Sequence, residues 1–165
     1  MPRTPPVPPA PELRELVCLA FEREYTSHGP SADEEAADRL RLDAAARLSQ
    51  KVLVGMPTWF GKAGTHALAS RALARVQEEQ KLLSAMTLIS GRAELRGLET
   101  AADTDGASVT VEGILAFLFA FAEGLGRLVG DNLTARLFDE CVLSDERSAP
   151  VPTTPLSPPR HTTDD

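Results

Sequence analysis

The chain has 165 residues, 42% of them hydrophobic, and a formal net charge of −7. That length suits one ordinary domain. The acidic balance argues against a nucleic-acid binder or a protein that lies on an anionic membrane, both of which present basic patches.

The prolines divide the chain. Of 13 in all, six fall within residues 1–11 and five within residues 149–165, leaving only Pro30 and Pro57 between them. Proline fixes φ and supplies no N–H, so MPRTPPVPPAP and APVPTTPLSPPRHTTDD read as disordered Pro-rich tails on one helical domain, residues 12–148. Their PxxP spacings, Pro5 to Pro8 and Pro152 to Pro155, fit either a ligand for a proline-binding module or a plain solvated tail. A body of this size buries roughly two-thirds of its unfolded surface, so it needs neither metal nor disulfide to fold. No apolar signal region precedes residue 13, and the longest apolar run, Ile114 to Ala122, is shorter than the ~20 residues of a membrane span. A cytoplasmic location is the expectation. Arg outnumbers Lys by 14 to 3, a bias that suggests a GC-rich bacterial genome.

A first helix is predicted from about Glu12 to His28, with Leu13, Leu16, Val17, Ala20, Phe21 and Tyr25 at helical spacing. Gly29-Pro30 stops it, and His28 suits the negative helix end. Ser31 and Glu34 make a capping box for a second helix. Ala37, Leu40, Ala44, Leu48 and Val52 form its inner stripe, and Gly55 and Pro57 end it near residue 54. Residues 55–64, GMPTWFGKAG, read as a loop. A third helix follows from about Thr65 to Lys81 or Leu83, facing inward through Leu68, Ala72, Val76 and Leu83.

Residues 84–92 are ambiguous. A short helix from Ala93 to Ala102 is expected, then a turn over Asp103–Gly106. Thr110 suits the cap of a helix over residues 110–129. From Ile114 to Ala122 that helix is apolar on every side, which places it at the centre of the domain. Gly124 and Gly126 either permit close packing or end it early. After a turn at Gly130-Asp131-Asn132, a last helix runs from Leu133 to Leu143, with Leu133, Leu137, Phe138, Cys141 and Val142 inward. The fold expected is all-α, a compact bundle of five or six helices around the buried apolar helix.

GKAGTHALASRALARVQEE and EGILAFLFAFAEGLGRLVGDNLTARLFDE resemble a family of small uncharacterised bacterial all-helical proteins. The features in common are a Gly-rich turn before an Ala/Leu helix, an apolar helix opening with Glu-Gly, and a Gly-acidic turn into Leu-Thr-x-x-Leu. The resemblance spans about residues 61–143 and implies a helical fold without a specific activity.

Residues that carry chemistry are sparse. Cys18 and Cys141 form no CxxC and no zinc-spaced pair with histidine, and read as two buried apolar thiols rather than a disulfide. Gly61-Lys62-x-Gly64-Thr65 departs from the phosphate-loop spacing and has no strand before it. His66 lies early in the third helix, where a phosphotransfer protein of similar bundle architecture carries its phosphoacceptor. That family's lysine three residues later is replaced here by Ala69. Glu78-Glu79 and Asp139-Glu140 are adjacent pairs that do not face one another on a helix, and no ExxH or HExxH occurs.

These residues point to a non-enzymatic accessory or regulatory protein. It takes no cofactor or metal, and acts through a protein partner or self-association. The candidate contact group is Met56, Trp59 and Phe60, which alternatively plugs the end of the core. The other reading is a histidine phosphotransfer-like signalling protein using His66.

Overall fold

The computed structural model describes residues 12–27, 29, 33–81, 83–89 and 95–143. The two Pro-rich tails, His28 and Ser31 lie outside them. The described residues form six helices and one small antiparallel pairing: α1 Leu13–Thr26, α2 Glu34–Gly55, α3 Pro57–Gln80, β1 Thr87–Leu88, β2 Leu95–Arg96, α4 Leu98–Asp105, α5 Ala107–Val129 and α6 Asp131–Leu143. The chain folds as the all-α bundle its periodicities predict.

α5 is the hub, packed against α1, α2, α3, α4 and α6. Its Ile114, Phe117, Leu118, Phe121, Ala122 and Leu125 are buried. The Phe121 ring meets Phe117 and Phe138, each at 6.3 Å between centroids, the latter edge-on. α3 runs antiparallel to α5, with Leu68 near Gly124 and Leu83 near Gly113. α5 is long and apolar enough to cross a membrane by length and composition, and half of its most apolar stretch is buried inside the bundle.

The burial is less even than the apolar run predicts. Phe119 is half-buried under the guanidinium of Arg14, 5.3 Å from the ring centroid. Val109 and Leu128 are exposed. Helical spacing sets the difference: Phe117 and Phe121 are one turn apart on the inward face, and Phe119 lies on another. α5 also begins earlier than expected, at Ala107. Thr110 is therefore not its cap but lies in the first turn, where its hydroxyl donates back to Gly106 O at 2.9 Å.

α1 turns Leu16, Val17, Phe21 and Glu24 inward. Cys18 falls on the opposite face and is exposed, correcting the expectation of two buried thiols; only Cys141 is buried. The last turn of α1 is closed by hydroxyls, with Thr26 Oγ1 donating to Glu22 O at 2.9 Å and Ser27 Oγ to Arg23 O at 2.8 Å. Buried Glu24 accepts from Lys51 Nζ at 2.5 Å and ties α1 to α2, with Arg47 Nε at 3.7 Å.

Four further expectations are corrected. The helix placed at Ala93–Ala102 starts only at Leu98, because Leu95 and Arg96 pair as a strand with Leu88 and Thr87. α4 then continues through Asp105, so the expected turn shrinks to Gly106. Leu83 is buried as expected but beyond the end of α3, in a left-handed turn at φ 57° held by Gln77, whose Nε2 donates to Leu83 O and Met86 O at 2.8 and 2.9 Å. α6 begins at Asp131, which rotates Leu133 outward while Ala135, Leu137, Phe138, Cys141 and Val142 face the core.

Candidate functional site

The segment expected as a loop, residues 55–64, is helical. α2 continues to Gly55, Met56 N donates to Val52 O at 3.0 Å, and α3 begins at once with Pro57. Proline lacks the N–H that an opening helical residue leaves unused, and its fixed φ suits that position. Here it starts a helix instead of making a loop. Trp59 N and Phe60 N both donate to Met56 O, at 3.0 and 3.1 Å, closing the first turn of α3.

The helix then kinks at Gly61, with φ 69° and ψ 166°. That combination lies in a region essentially reserved for glycine. Beyond it the helix resumes, carrying Lys62, Gly64, Thr65 and His66 as helical residues. The Gly-Lys run is thus part of a helix and forms no phosphate-cradling loop.

The three candidate contact residues separate at this corner. Met56 is fully buried and Phe60 is half-buried against the core, so these two act as the plug. Trp59 points away and stays 54% exposed, near in sequence to Val54, which is 61% exposed at the end of α2. Thr58, Gly61, Lys62 and Ala63 around them are also exposed. The exposed side chains of residues 54–63 thus include one indole, one isopropyl group and one lysine.

His66 is half-buried. Its Nδ1 lies 3.4 Å from Ser70 Oγ, and its Nε2 is shut off from solvent with no hydrogen-bond partner. The neighbouring Thr65 hydroxyl is likewise buried and unpartnered. Nε2 is therefore not presented to solvent. Among the described residues, no group of three or more His, Cys, Asp or Glu side chains is placed to hold a metal ion.

Two charged clusters went unread in the sequence. One is the Glu24–Lys51 pair, hidden because its members lie on different helices. The other joins Arg75 and Glu123 across α3 and α5. Its available signal was the pair of i,i+4 spacings, Arg75/Glu79 and Glu123/Arg127. Compared with family models, with curated proteins and with solved structures, the chain matches none.

Proposed function

We propose that this protein is a non-enzymatic helical accessory or regulatory protein that works through contact with another protein. The corner between α2 and α3 is its docking surface. The observation that carries this reading is the exposure of Trp59 in the first turn of α3. Exposed tryptophan is costly in water and is enriched among residues that dominate binding energy. Met56 and Phe60 anchor the turn from beneath, so the indole is presented without ordering a loop on binding. The partner it fits has an apolar pocket for the indole, bordered by acidic groups that meet Lys62.

Trp59 is the chain's single tryptophan, so its fluorescence reports this site alone. In the free protein its emission is red-shifted and open to a soluble quencher. Photo-cross-linking from position 59 in the native host identifies the partner. Titration with that purified partner then shifts the emission to the blue, and Trp59→Ala abolishes binding while leaving the melting curve in place. A partner bound equally well by Trp59→Ala, or a quencher-protected indole in the free protein, overturns the reading.

A further inference from the structure

The outer surface of α3 and α5 carries four charges in one connected row. Arg75 Nε donates to Glu79 Oε1 at 3.0 Å, Arg75 Nη1 to Glu123 Oε2 at 2.8 Å, and Arg127 Nη2 to Glu123 Oε1 at 2.6 Å. Because α3 and α5 are antiparallel, Glu79, Arg75, Glu123 and Arg127 follow one another in a single direction along the surface. Their signs alternate: negative, positive, negative, positive. The hydrogen bonds from Arg75 hold the Glu123 carboxyl below its ordinary pKa, and those to Glu79 and Glu123 raise that of Arg75.

An alternating row with an even number of members is complementary to its own reversal. A two-fold axis in the interface plane, crossing the row between Arg75 and Glu123, sets Glu79 against the second copy's Arg127 and Arg75 against the second copy's Glu123. Such self-complementarity is the requirement for an isologous dimer. Each charge is already paired within its own chain, which lowers the cost of removing it from water.

Apolar groups stand at both ends of the row. Leu128, 66% exposed, stands at the Arg127 end of the row. Toward the Glu79 end, Val76, Ala116 and Phe119 line a cleft of about 330 Å³ whose rim carries Arg14, Glu79 and Glu123. The axis that reverses the row brings the Leu128 end of one copy over this cleft in the other. Ala116 and Ala120, one turn apart on α5, line this cleft and let a second helix come close.

We propose that two copies of this chain associate through the α3–α5 face as a symmetric dimer, with the Glu79–Arg75–Glu123–Arg127 row pairing with its reversed copy and Leu128 entering the partner cleft. This surface involves neither Trp59 nor Val54, so its test is independent of the docking corner.

Sedimentation equilibrium of the full chain decides it. The expected result is twice the chain mass, with a Kd of about 10 μM or tighter at low salt and weakening as salt rises. Arg75→Glu with Arg127→Glu makes the row wholly negative, and Glu79→Arg with Glu123→Arg makes it wholly positive. Each double variant keeps its helical circular dichroism and sediments as a monomer, whereas the equimolar mixture forms a heterodimer. Leu128→Asp, at an exposed position, weakens self-association by about 100-fold. A wild-type monomer at about 100 μM overturns the proposal. So do charge variants that dimerise like the wild type, or a mixture that stays monomeric.

Discussion

Gly55 and Cys141 are in contact across the α2–α6 interface so closely that a Cβ on Gly55 would lie 2.5 Å from Cys141 Sγ and 3.1 Å from its Cβ. The glycine is therefore present for space, although it sits in an ordinary helical conformation near the end of α2. Alanine would gain about 1 kcal/mol of helix propensity there. Overpacking costs about 1–3 kcal/mol, and the obstructing atoms belong to a short, buried side chain that cannot swing away. Gly55→Ala is expected to destabilise the fold by up to about 2 kcal/mol in urea denaturation. Cys141→Ala removes Sγ, so the double variant should lose less than the two single losses combined, by at least about 0.5 kcal/mol. Strict additivity would show that α2 and α6 move apart to admit the methyl group.

The same burial makes Cys141 a pH-sensitive element. Desolvation is the main cause that pushes its thiol up from 9.0 to about 11, with the charge of Glu140 adding to it. The folded chain thus holds this proton more tightly than the unfolded chain does. Its contribution to stability is complete below pH 9 and is lost as pH rises toward 11. The difference in urea midpoint between wild type and Cys141→Ala should change over that window and remain level below it. Thiol labelling gives a second check. Exposed Cys18 reacts promptly in the native protein, and Cys141 reacts only on unfolding.

Much of the fold is legible in the sequence because apolar side chains recur at helical spacing, and that pattern survives wherever a helix has one buried face. Leu16, Val17 and Phe21 in α1, and Leu137, Phe138 and Cys141 in α6, are such cases. The corner at residues 55–64 departs from the loop its composition predicts for a local reason. Glycine and proline usually mark breaks, but Pro57 occupies a position where its missing N–H costs nothing, and Gly55 and Met56 continue the helical path. The exposure of Trp59 beside buried Met56 depends on where α2 gives way to α3, which no residue spacing reports. The α3–α5 charge row was hidden similarly, since the Arg75–Glu123 bond joins residues 48 positions apart.

Gly61 offers a contrast to Gly55. Nothing lies within 4 Å of a Cβ built on it, so Gly61→Ala meets no steric obstacle. The cost arises wholly in the backbone, at φ 69° and ψ 166°. Residues held in that region lose of order 1–3 kcal/mol. Asparagine, which tolerates the left-handed helical region near ψ ~45°, should not rescue the position, because ψ here is extended. Gly61→Ala and Gly61→Asn are expected to lower the urea midpoint by similar amounts. A clear advantage for asparagine would mean that the kink relaxes to an ordinary left-handed turn.

The three α5 phenylalanines provide the last test, because their chemistry is identical and their surroundings are not. Phe117 and Phe121 are buried and in contact with each other, and Phe121 also meets Phe138. Truncating either to alanine removes a full ring and leaves a cavity that helices on both sides cannot close. The expected loss is about 3–5 kcal/mol for each. Phe119 is half-buried and covered on one face by the Arg14 guanidinium. Truncation there opens a surface depression that water fills, and it forfeits a cation–π contact of about 0.5–1 kcal/mol. Phe119→Ala should therefore cost about 1–2 kcal/mol, well below its two neighbours. Urea denaturation of the three variants at one pH gives the order directly. A Phe119→Ala loss equal to that of Phe117→Ala would show that α5 is enclosed on every side, with the α1–α3–α5 cleft closed over the ring.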